Sequence, residues 1–447
     1  MMNIYNFSKN VFQDIKLENK NNPVFVFIIL VLLTIPLAMI LSSISLGFLV
    51  VATAIYFKKS NFKFDNNLIL PIILYFLMLL SITWTVDFDR TATALLKQIP
   101  LLIIPVCFMV FQSFSDNQKQ KIIQYYSYGI VLFAIFYLIR AIIRFVLTHD
   151  TSVFFYHELV SKEVNAIHVS VYVAIAFFYF FTKPLKKTLD FIVLTILLLL
   201  VFLLSSKNIT VVFIGLMIVY HLFYSKLSKQ LRLKNLIIVG VLLISFAFIG
   251  KIKDRFKQEY ETIMTDSTVN DVISKNGATV YNVSIKQSWT NEKFQPNDFF
   301  PGTAFRVYQF RVFLELMHEN NIFWQGFGLN ASYNKIEEKG IYYNVYLGDG
   351  TKNLEGYQKK NFHNQYVQNF AELGIFGFLI LIIMLFVNLK NGINNKNFIH
   401  ISFAVLMISL FLTESFLWRQ RGVMFFTIMY CLFNVRIPKY LNADKTD

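Results

Sequence analysis

Charged residues are scarce in this chain, and cysteine is nearly absent. Asp, Glu, Lys and Arg make up 15% of its 447 residues, whereas hydrophobic residues make up 55% and aromatic residues 17%. With a mean hydropathy of +0.51, this composition is too apolar for an ordinary soluble domain and indicates a polytopic membrane protein. The two cysteines, Cys107 and Cys431, both lie inside apolar runs, so the sequence supports neither a disulfide framework nor a structural metal site.

Acidic residues are also few, since 27 Asp and Glu stand against 42 Lys and Arg, which gives a formal net charge of +15. In a soluble protein such an excess would suggest nucleic-acid binding. Here most of the excess lies in short loops between apolar segments, where positive charge sets membrane topology. Because the chain also lacks a nucleic-acid-binding motif, we expect no nucleic-acid partner.

Long apolar runs are what the chain has in abundance. A helix needs about 20 residues to cross a bilayer, and twelve stretches approach or exceed that length. They lie near residues 24–41, 43–57, 67–84, 95–113, 122–147, 167–182, 188–205, 208–225, 235–250, 363–388, 398–416 and 423–435. Pro36 and the pair Ser42–Ser43 leave two interpretations of the first two stretches, a tight hairpin or a kink in one long helix. The hairpin fits the charges better, because it places the lysines before and after it on one side.

The positive charges predict the orientation of the chain. Alternate loops, together with both termini, hold 20 Lys and Arg, whereas the short loops on the other side hold five. Since Lys and Arg accumulate on the cytoplasmic side, both termini are expected inside the cell. The long connection, residues 251–362, is then extracytoplasmic, and its 14 basic and 13 acidic residues indicate a nearly neutral, folded insert. A long structured loop of this kind is usually functional.

We therefore expect an all-α integral membrane protein with about 12 transmembrane helices and one large extracytoplasmic loop. Its predicted parts are an N-terminal transmembrane bundle of about nine helices (1–250), the large periplasmic loop (251–362), about three C-terminal transmembrane helices (363–435) and a cytoplasmic tail (436–447).

The stretch 361–378, NFHNQYVQNFAELGIFGF, carries polar side chains into a transmembrane helix. Steps of three and four residues from His363 lead to Gly374 and Gly377 on one helical face, where small residues allow close approach of a neighbouring helix. The imidazole is then expected at the water boundary, where it can transfer a proton near neutral pH. The alternative is that His363 and Asn364 merely begin a transmembrane helix at the interface.

Two arginines of the long loop, Arg306 and Arg311, precede an amphipathic helical pattern that ends in a G-x-G turn at 326–328. A guanidinium is a permanently charged planar fork suited to phosphate oxygens. A substrate that carries pyrophosphate would fit an arginine facing His363. For Arg311 a salt bridge to Glu315 or Glu319 is an equally good explanation.

Three further cations are predicted near the outer membrane boundary. Lys207 is a single lysine between two apolar helices, either a functional charge or a simple loop cation. Arg140 and Arg144 are four residues apart and so share one helical face. They either face the same cavity or extend to the interface as long side chains near a helix end.

The order of these features resembles the O-antigen ligase and polymerase superfamily, integral-membrane enzymes that transfer glycans from a lipid carrier. That family has an outer-loop Arg ahead of an aromatic residue, then a G-x-G turn, then a His-Asn pair before Glu-Leu-Gly-x-x-Gly. The similar features here are Arg306 and Phe310, the 326–328 turn, and His363-Asn364 before the 372–377 stretch ELGIFG.

Three more segments carry the resemblance. The segment SITWTVDFDRTATALLKQ at 81–98 is similar to the family's Trp-Ser-x-Asp stretch, with Thr85 in place of Ser. The segment TESFLWRQRGVMFF at 413–426 is similar to its Glu-Ser and Gln-x-Gly stretch. The family's Ser-Arg pair at a short outer turn appears here as Ser206-Lys207, which keeps the charge but loses the bidentate geometry.

The resemblance implies a membrane glycosyltransferase, O-antigen ligase-like, that moves a glycan from a polyprenyl-pyrophosphate carrier to an acceptor hydroxyl. We expect His363 and Arg306 to be catalytic, with His363 as general base, and Asn364 and Glu414 to support them. The side chains expected to bind the pyrophosphate with Arg306 are Lys207, Arg311, Arg140 and Arg144.

The expected partners are the lipid-linked glycan donor, the lipid bilayer, and an acceptor that is lipid A core, a growing glycan or a protein hydroxyl. No cofactor and no metal are expected, since the leaving group is already activated and no phosphate-binding loop or acidic triad is visible. The expected location is the bacterial inner membrane, with the active site extracytoplasmic.

Three alternatives stay open at this point. A polysaccharide polymerase of the same superfamily would share every feature above. A transporter or flippase of lipid-linked oligosaccharides would also need a cationic lumen, but transporters typically show internal repeats and helices interrupted near the membrane midplane. A structural or assembly factor would leave the outer cations without a purpose.

Overall fold

The computed structural model describes residues 4–204, 206–228, 230–233, 237, 240, 259–263, 265–271, 273–274, 279–348 and 355–436. The predicted span at 235–250 and the predicted tail at 436–447 lie almost entirely outside these residues. Each of the other eleven predicted stretches overlaps a helix.

The chain up to residue 224 is helical throughout its regular structure. Its helices are α1 (Ile4–Asn21), α2 (Phe25–Thr34), α3 (Met39–Ile55), α4 (Asn66–Leu80), α5 (Phe88–Gln98), α6 (Pro100–Val110), α7 (Asp116–Thr148), α8 (Tyr156–Leu159), α9 (Ala166–Thr182), α10 (Thr188–Leu203) and α11 (Lys207–Val219). A π-helical turn, Tyr220–Tyr224, continues α11.

The long connection holds short elements. They are β1 (Thr268–Val269), β2 (Tyr281–Asn282), α12 (Ile285–Thr290), β3 (Asp298–Phe299), α13 (Gly302–Glu319) and α14 (Ser332–Tyr342). The strands form one small sheet in which β2 pairs antiparallel with β1 and parallel with β3. The C-terminal helices are α15 (Gln365–Asn394), α16 (Phe398–Phe411) and α17 (Gln420–Asn434).

Among the residues that the structure describes, five helical stretches are long and apolar enough to cross a membrane, which makes the chain a multi-pass helical membrane protein. They are Asn66–Thr83, Phe88–Val110, Asp116–Thr148, Lys207–Tyr224 and Gln365–Asn394. Five shorter apolar helices, α2, α3, α9, α10 and α16, pack among them. The predicted count of twelve spans stays a prediction.

The hairpin interpretation of the first apolar region is the one observed. Helices α2 and α3 are separate, the turn between them contains Pro36, and Thr34 Oγ1 lies 2.7 Å from Ser45 Oγ across the pair. The ten residues of α2 rise only about 15 Å, whereas the hydrocarbon core is about 30 Å thick. Helix α2 alone therefore does not cross it.

Local side-chain caps fix where several helices begin. Asp65, Asn165, Asn364 and Asn397 each accept a hydrogen bond from a backbone N–H in the first turn of the helix that follows. These N–H groups have no partner inside the helix, and an Asx side chain supplies one. At α7, Ser115 caps the helix together with Gln118.

The two ends of the helix bundle differ in the residues that they hold. At the His363 end, α15 and α17 begin and α16 finishes, and the Asn364 side chain donates to the carbonyl of Leu412 (3.2 Å). At the opposite end, the Lys119 ammonium at the start of α7 donates to the carbonyl of Val435 after α17 (2.8 Å). We call this second end the Lys119 end.

Two hydrophobic cores are present among the described residues. The larger one fills the helix bundle. The smaller one lies inside the long connection, is built largely from aromatic residues of 294–327, and includes Val367 and Ala371 from the start of α15. The described part of the connection is thus a folded body that shares its core with a transmembrane helix.

A break in α15 joins this body to the bundle. Gly374 has φ 64° and ψ −162°, so two helical parts meet there. The backbone N–H groups of Phe327 and Gly328 fill the break, donating to the carbonyls of Ala371 and Glu372 (2.8 and 2.9 Å). The break leaves helix carbonyls without their usual partners, and the G-x-G turn donates hydrogen bonds to them. Backbone polar groups within a membrane need such partners from the protein.

Glycine is required on both sides of this junction. A Cβ on Gly374 would lie 2.2 Å from the carbonyl oxygen of Trp324, and one on Gly326 would lie 2.3 Å from the carbonyl carbon of Glu372. Both glycines also have positive φ, which disfavours any side chain. The predicted helical face running from His363 through Gly374 is therefore wrong, because His363 precedes α15 and the neighbour at Gly374 is a turn.

Candidate active site

The centre of the site is the carboxylate of Glu414, in the connection between α16 and α17. Its Oε1 lies 3.3 Å from Arg306 Nη2, and its Oε2 lies 3.4 Å from His363 Nδ1. The residue is 9% exposed, so water competes little for these contacts. One buried carboxylate therefore holds the two side chains that the sequence predicted to be catalytic.

The charges around Glu414 control its ionisation. Burial alone would raise the pKa of its carboxyl, but the hydrogen bond from His363 and the positive charges of His363 and Arg306 outweigh burial and lower the pKa below its usual value. Glu414 is therefore an anion at neutral pH. Because a carboxylate only accepts hydrogen bonds, it selects the form of His363 with the proton on Nδ1. In the neutral imidazole, Nε2 then carries the lone pair that can accept a proton.

The position of the His363 ring is fixed by its backbone and by neighbouring side chains. His363 has φ 47°, a left-handed conformation, and its N–H donates to Asn361 Oδ1 (3.0 Å). The next residue, Asn364, caps α15 and is also tied to Leu412. The ring meets Phe305 edge to face, with 5.6 Å between centroids. About 29% of the side chain stays exposed, so a substrate can reach it.

Arg306 belongs to α13 and not, as predicted, to the chain before a helix. Its Nε donates to the carbonyl of Thr413 (2.9 Å) and its Nη1 to the carbonyl of Gly302 (2.8 Å). Since Nη2 contacts the Glu414 carboxylate, each of the three guanidinium nitrogens has an acceptor in the protein. The guanidinium thus has one orientation while 30% of the side chain remains exposed.

A second ion pair lies next to Arg306. The ammonium of Lys207 is 2.8 Å from Glu259 Oε1, while Glu259 Oε2 accepts from the backbone N–H of Thr303 (3.3 Å) at the start of α13. Glu259 Oε1 and Arg306 Nη1 both lie 3.1 Å from the position that a Cβ on Gly302 would occupy. A lysine and a helix N-terminus therefore bind one carboxylate, and the Arg306 guanidinium lies close by at Gly302, an arrangement that favours an anion.

The ionisation of Glu259 reflects these neighbours. Burial would raise its pKa, but hydrogen bonds from Lys207 and Thr303 and the charge of Lys207 lower it overall. Sequence analysis missed this residue, because a single Glu in a loop of mixed charge gives no pattern and its partner lies 52 positions away.

Buried amides support the site from inside α15. Gln365 Oε1 accepts from the N–H of Leu417 (2.7 Å). One turn further, Gln368 Nε2 donates to the Glu372 carboxylate and to Ser332 Oγ (3.3 Å). These bonds fix the segment after Glu414 and the start of α14 against the first part of α15, so both sides of the site rest on one helix.

Arg311 lies on the same helix as Arg306, α13, but has a different set of contacts. Its Nε is 3.0 Å from Glu315 Oε1, its Nη1 donates to the carbonyl of Asn291 (2.7 Å), and its Nη2 donates to Tyr343 Oη (2.9 Å). The guanidinium also lies over the Tyr343 ring, 4.5 Å from the centroid. These contacts include the salt bridge to Glu315 that was the alternative explanation, while the predicted role of Arg311 in pyrophosphate binding stays a prediction.

Arg140 and Arg144 share a face of α7, as predicted, and both bind the segment after it. Arg140 Nη1 donates to the carbonyl of Val160 (2.9 Å). Arg144 donates to the carbonyl of Glu158 and pairs with its carboxylate, both at 2.6 Å. Their predicted role in pyrophosphate binding stays a prediction, while the contacts observed fix α8 against α7.

No cluster of three or more His, Cys, Asp or Glu side chains with the spacing of a metal site is found in the part of the chain that the structure describes. The groups that the site brings together are an oriented imidazole, two cations and a helix N-terminus, which suit acid–base and electrostatic chemistry.

The fold and site define a class, a multi-pass helical membrane protein with an acid–base centre where a folded insert meets the helix ends. Residues 191–382 match the family model described as O-antigen ligase, and this match confirms the resemblance to the O-antigen ligase and polymerase superfamily. The matched range includes Lys207, Arg306 and His363, whereas Glu414 follows it. No curated protein sequence matches the chain. The family supports membrane glycan processing as the general activity.

Proposed function

We propose that the protein transfers a glycan from a polyprenyl-pyrophosphate carrier to an acceptor hydroxyl on the extracytoplasmic side of the inner membrane. The observation that carries this proposal is the shared carboxylate of Glu414, which orients a proton acceptor, His363, beside a fixed cation, Arg306. In glycosyl transfer from a pyrophosphate, a base can take the proton of the acceptor hydroxyl and a cation can stabilise the leaving group.

In the proposed reaction, the acceptor oxygen attacks the anomeric carbon of the donor sugar while His363 Nε2 takes the hydroxyl proton. The bond between that carbon and the pyrophosphate oxygen breaks, and its electron pair leaves with the pyrophosphate. The imidazolium that forms is stabilised by the Glu414 carboxylate at Nδ1 (3.4 Å). Neither a metal nor a nucleotide is part of this step.

Arg306 and Lys207 are proposed to stabilise the leaving pyrophosphate. Lys207 pairs with the Glu259 carboxylate, α13 directs a backbone N–H at the same carboxylate, and Arg306 Nη1 lies nearby at Gly302. We infer that pyrophosphate oxygens replace Glu259 as the partner of these donors. Fixed donors directed at developing negative charge are commonly the largest contribution to such catalysis.

The acceptor class stays open between lipid A core, a growing glycan and a protein hydroxyl, so ligase and polymerase remain two forms of this proposal. The break of α15 at Gly374 is a feature that transporters also have, but the packing of α17 does not fit a transporter. The polar groups of the site lie at one end of the bundle, and below them α17 is buried from Val423 to Leu432 at 0% exposure for each hydrophobic residue. That packing leaves no continuous polar path along α17.

Purified protein incubated with a lipid-linked oligosaccharide and each acceptor class tests the proposal. We expect a glycosylated product with one acceptor. His363→Gln should lower turnover by roughly 10²- to 10⁴-fold with donor binding retained. Arg306→Ala should abolish transfer, and Arg306→Lys should restore part of it, because the ammonium keeps the charge but not the fork.

The matched control is Arg90→Gln, which removes another outer arginine that is paired with a carboxylate, Asp87 (3.2 Å). It should leave turnover unchanged. Wild-type rates in His363→Gln, at equal abundance, would remove the base from the mechanism.

A further inference from the structure

A large cavity lies at the Lys119 end of the bundle, opposite the candidate active site. Its volume is about 2200 Å³, and it opens between the ends of α7, α9, α10, α11, α15, α16 and α17. Pockets for drug-sized ligands typically measure about 300–1,000 Å³, so this one is of lipid size. The 30 residues of α15 separate it from His363.

The rim of the cavity is strongly basic. The cations that line it are Lys119, Lys121, Lys183, Lys186, Lys226, Lys390, Lys396 and Arg436, and Asp116 is the one acidic residue of the described lining. Lys121 is paired with Asp14 and Glu18, and Lys183 is paired with Asp190. For Lys186, Lys226 and Lys396, the described chain gives no carboxylate within ion-pair distance.

The inner wall of the cavity is apolar. It is formed by side chains that lie further along the helices, among them Phe177 and Phe181 of α9, Leu194 and Leu198 of α10, and Met217 of α11. A ligand that fills both parts needs an anionic head and an apolar body. A small soluble anion would leave the apolar wall unused.

His221 provides an independent observation, a buried imidazole nitrogen without a hydrogen-bond partner. It is 3% exposed, lines the cavity, and its Nδ1 has no hydrogen-bond partner. Buried polar atoms of this kind are nearly always satisfied. The residue also belongs to the π-helical turn Tyr220–Tyr224. Such turns are rare in proteins, and those that occur are often found at functional sites.

We propose that this cavity binds a phosphate-bearing anionic lipid from the membrane leaflet at the Lys119 end. The phosphate contacts the basic rim and the ring of His221, and the acyl chains lie along the apolar inner wall of the cavity. This inference does not depend on the proposed glycosyl transfer. Basic pockets between transmembrane helices are suited to such head groups.

The test is native mass spectrometry of the purified full chain, released from detergent with added lipid. The probes are phosphatidylglycerol, cardiolipin, phosphatidylcholine and soluble inorganic pyrophosphate. The wild type should retain the two anionic lipids over phosphatidylcholine, with retention falling as salt rises. The variant Lys186→Gln/Lys226→Gln/Lys396→Gln should weaken anionic-lipid binding by roughly 100-fold at low salt, at about fivefold for each cation.

Two further variants separate this site from general surface charge. Lys58→Gln/Lys59→Gln removes exposed cations that do not line the cavity and should leave binding unchanged. Thr195→Trp places a bulky side chain in the apolar half and should weaken lipid binding while every cation remains.

The proposal is overturned if the Lys58/Lys59 control weakens binding as much as the triple variant, because the effect is then surface charge. It is also overturned if pyrophosphate binds at the rim with equal dependence on the three lysines while Thr195→Trp changes nothing. That result would assign the cavity to a soluble phosphate compound.

Discussion

Replacing Glu414 by glutamine tests the centre of the site most directly. The change keeps the size of the side chain but removes its negative charge and gives it an NH₂ group. If the amide oxygen faces Arg306 Nη2 at 3.3 Å, the NH₂ group faces His363 Nδ1. That nitrogen must then accept, so the ring proton moves to Nε2 and the proton acceptor is lost.

The expected loss follows from two effects of this change. A charge-assisted hydrogen bond contributes about 1.5–3 kcal/mol, and its loss to the imidazolium formed in the transition state lowers turnover by roughly 10- to 150-fold. The unfavourable tautomer adds to this, and the equivalent change in catalytic triads lowers kcat by roughly 10⁴-fold. We expect a decrease of about 10²- to 10⁴-fold for Glu414→Gln, with a small change in the KM for donor.

The acid range gives a second readout of Glu414. Because its pKa is lowered in the folded protein, its stabilising contribution is full above the ordinary glutamate value of 4.5 and is lost as pH falls through the folded pKa. The stability difference between wild type and Glu414→Gln should therefore be constant above about pH 5.5 and shrink below pH 4.5.

The assay is transfer rate and thermal unfolding against pH for both proteins at equal abundance. Glu414→Asp is the matched control, since it keeps the charge on a shorter side chain, and it should retain more activity than Glu414→Gln. Equal rates for wild type and Glu414→Gln at neutral pH would refute the role of this carboxylate.

Three other changes address the surroundings of the site. Glu259→Gln should strengthen inhibition by inorganic pyrophosphate by roughly 3- to 10-fold, because the competing carboxylate is neutralised; unchanged inhibition would place the leaving group elsewhere. Arg311→Gln should lower the free energy of unfolding by about 1–3 kcal/mol and leave turnover per folded molecule unchanged, and selective loss of turnover would restore Arg311 to the site. Gly374→Ala should reduce folded yield severely, whereas Gly215→Ala, where a Cβ meets nothing within 4 Å, should not; equal yields would show that the junction tolerates a side chain.

The helices were largely predictable, because long apolar runs determine them whatever they pack against. The break at Gly374 was not, since a glycine that permits close packing and a glycine that adopts positive φ look the same in sequence. Arg306 and His363 were identified as candidates from residue type and family resemblance. Their common contact with Glu414 depends on tertiary structure, which brings together positions 108 and 51 residues apart.

Glu259, Arg306 and Arg311 show a further limit of sequence reasoning, because their contacts form only in the folded chain. The sequence offered a salt bridge to Glu315 as one explanation of Arg311, and the structure shows that bond together with bonds to Asn291 and Tyr343. The sequence did not show that Arg306, one and a half turns earlier on the same helix, borders the site. The difference arises from what packs against each face of α13. Only the folded connection decides that.

The order of the site residues along the chain has a consequence for biogenesis. During synthesis Arg306 emerges first, His363 follows, and Glu414 comes only after α15 and α16. A nascent chain that has not yet reached Glu414 therefore carries the imidazole and the guanidinium without the carboxylate that orients them. The proposed transfer centre is completed only when the last helices enter the membrane, so a partly inserted chain has no assembled site.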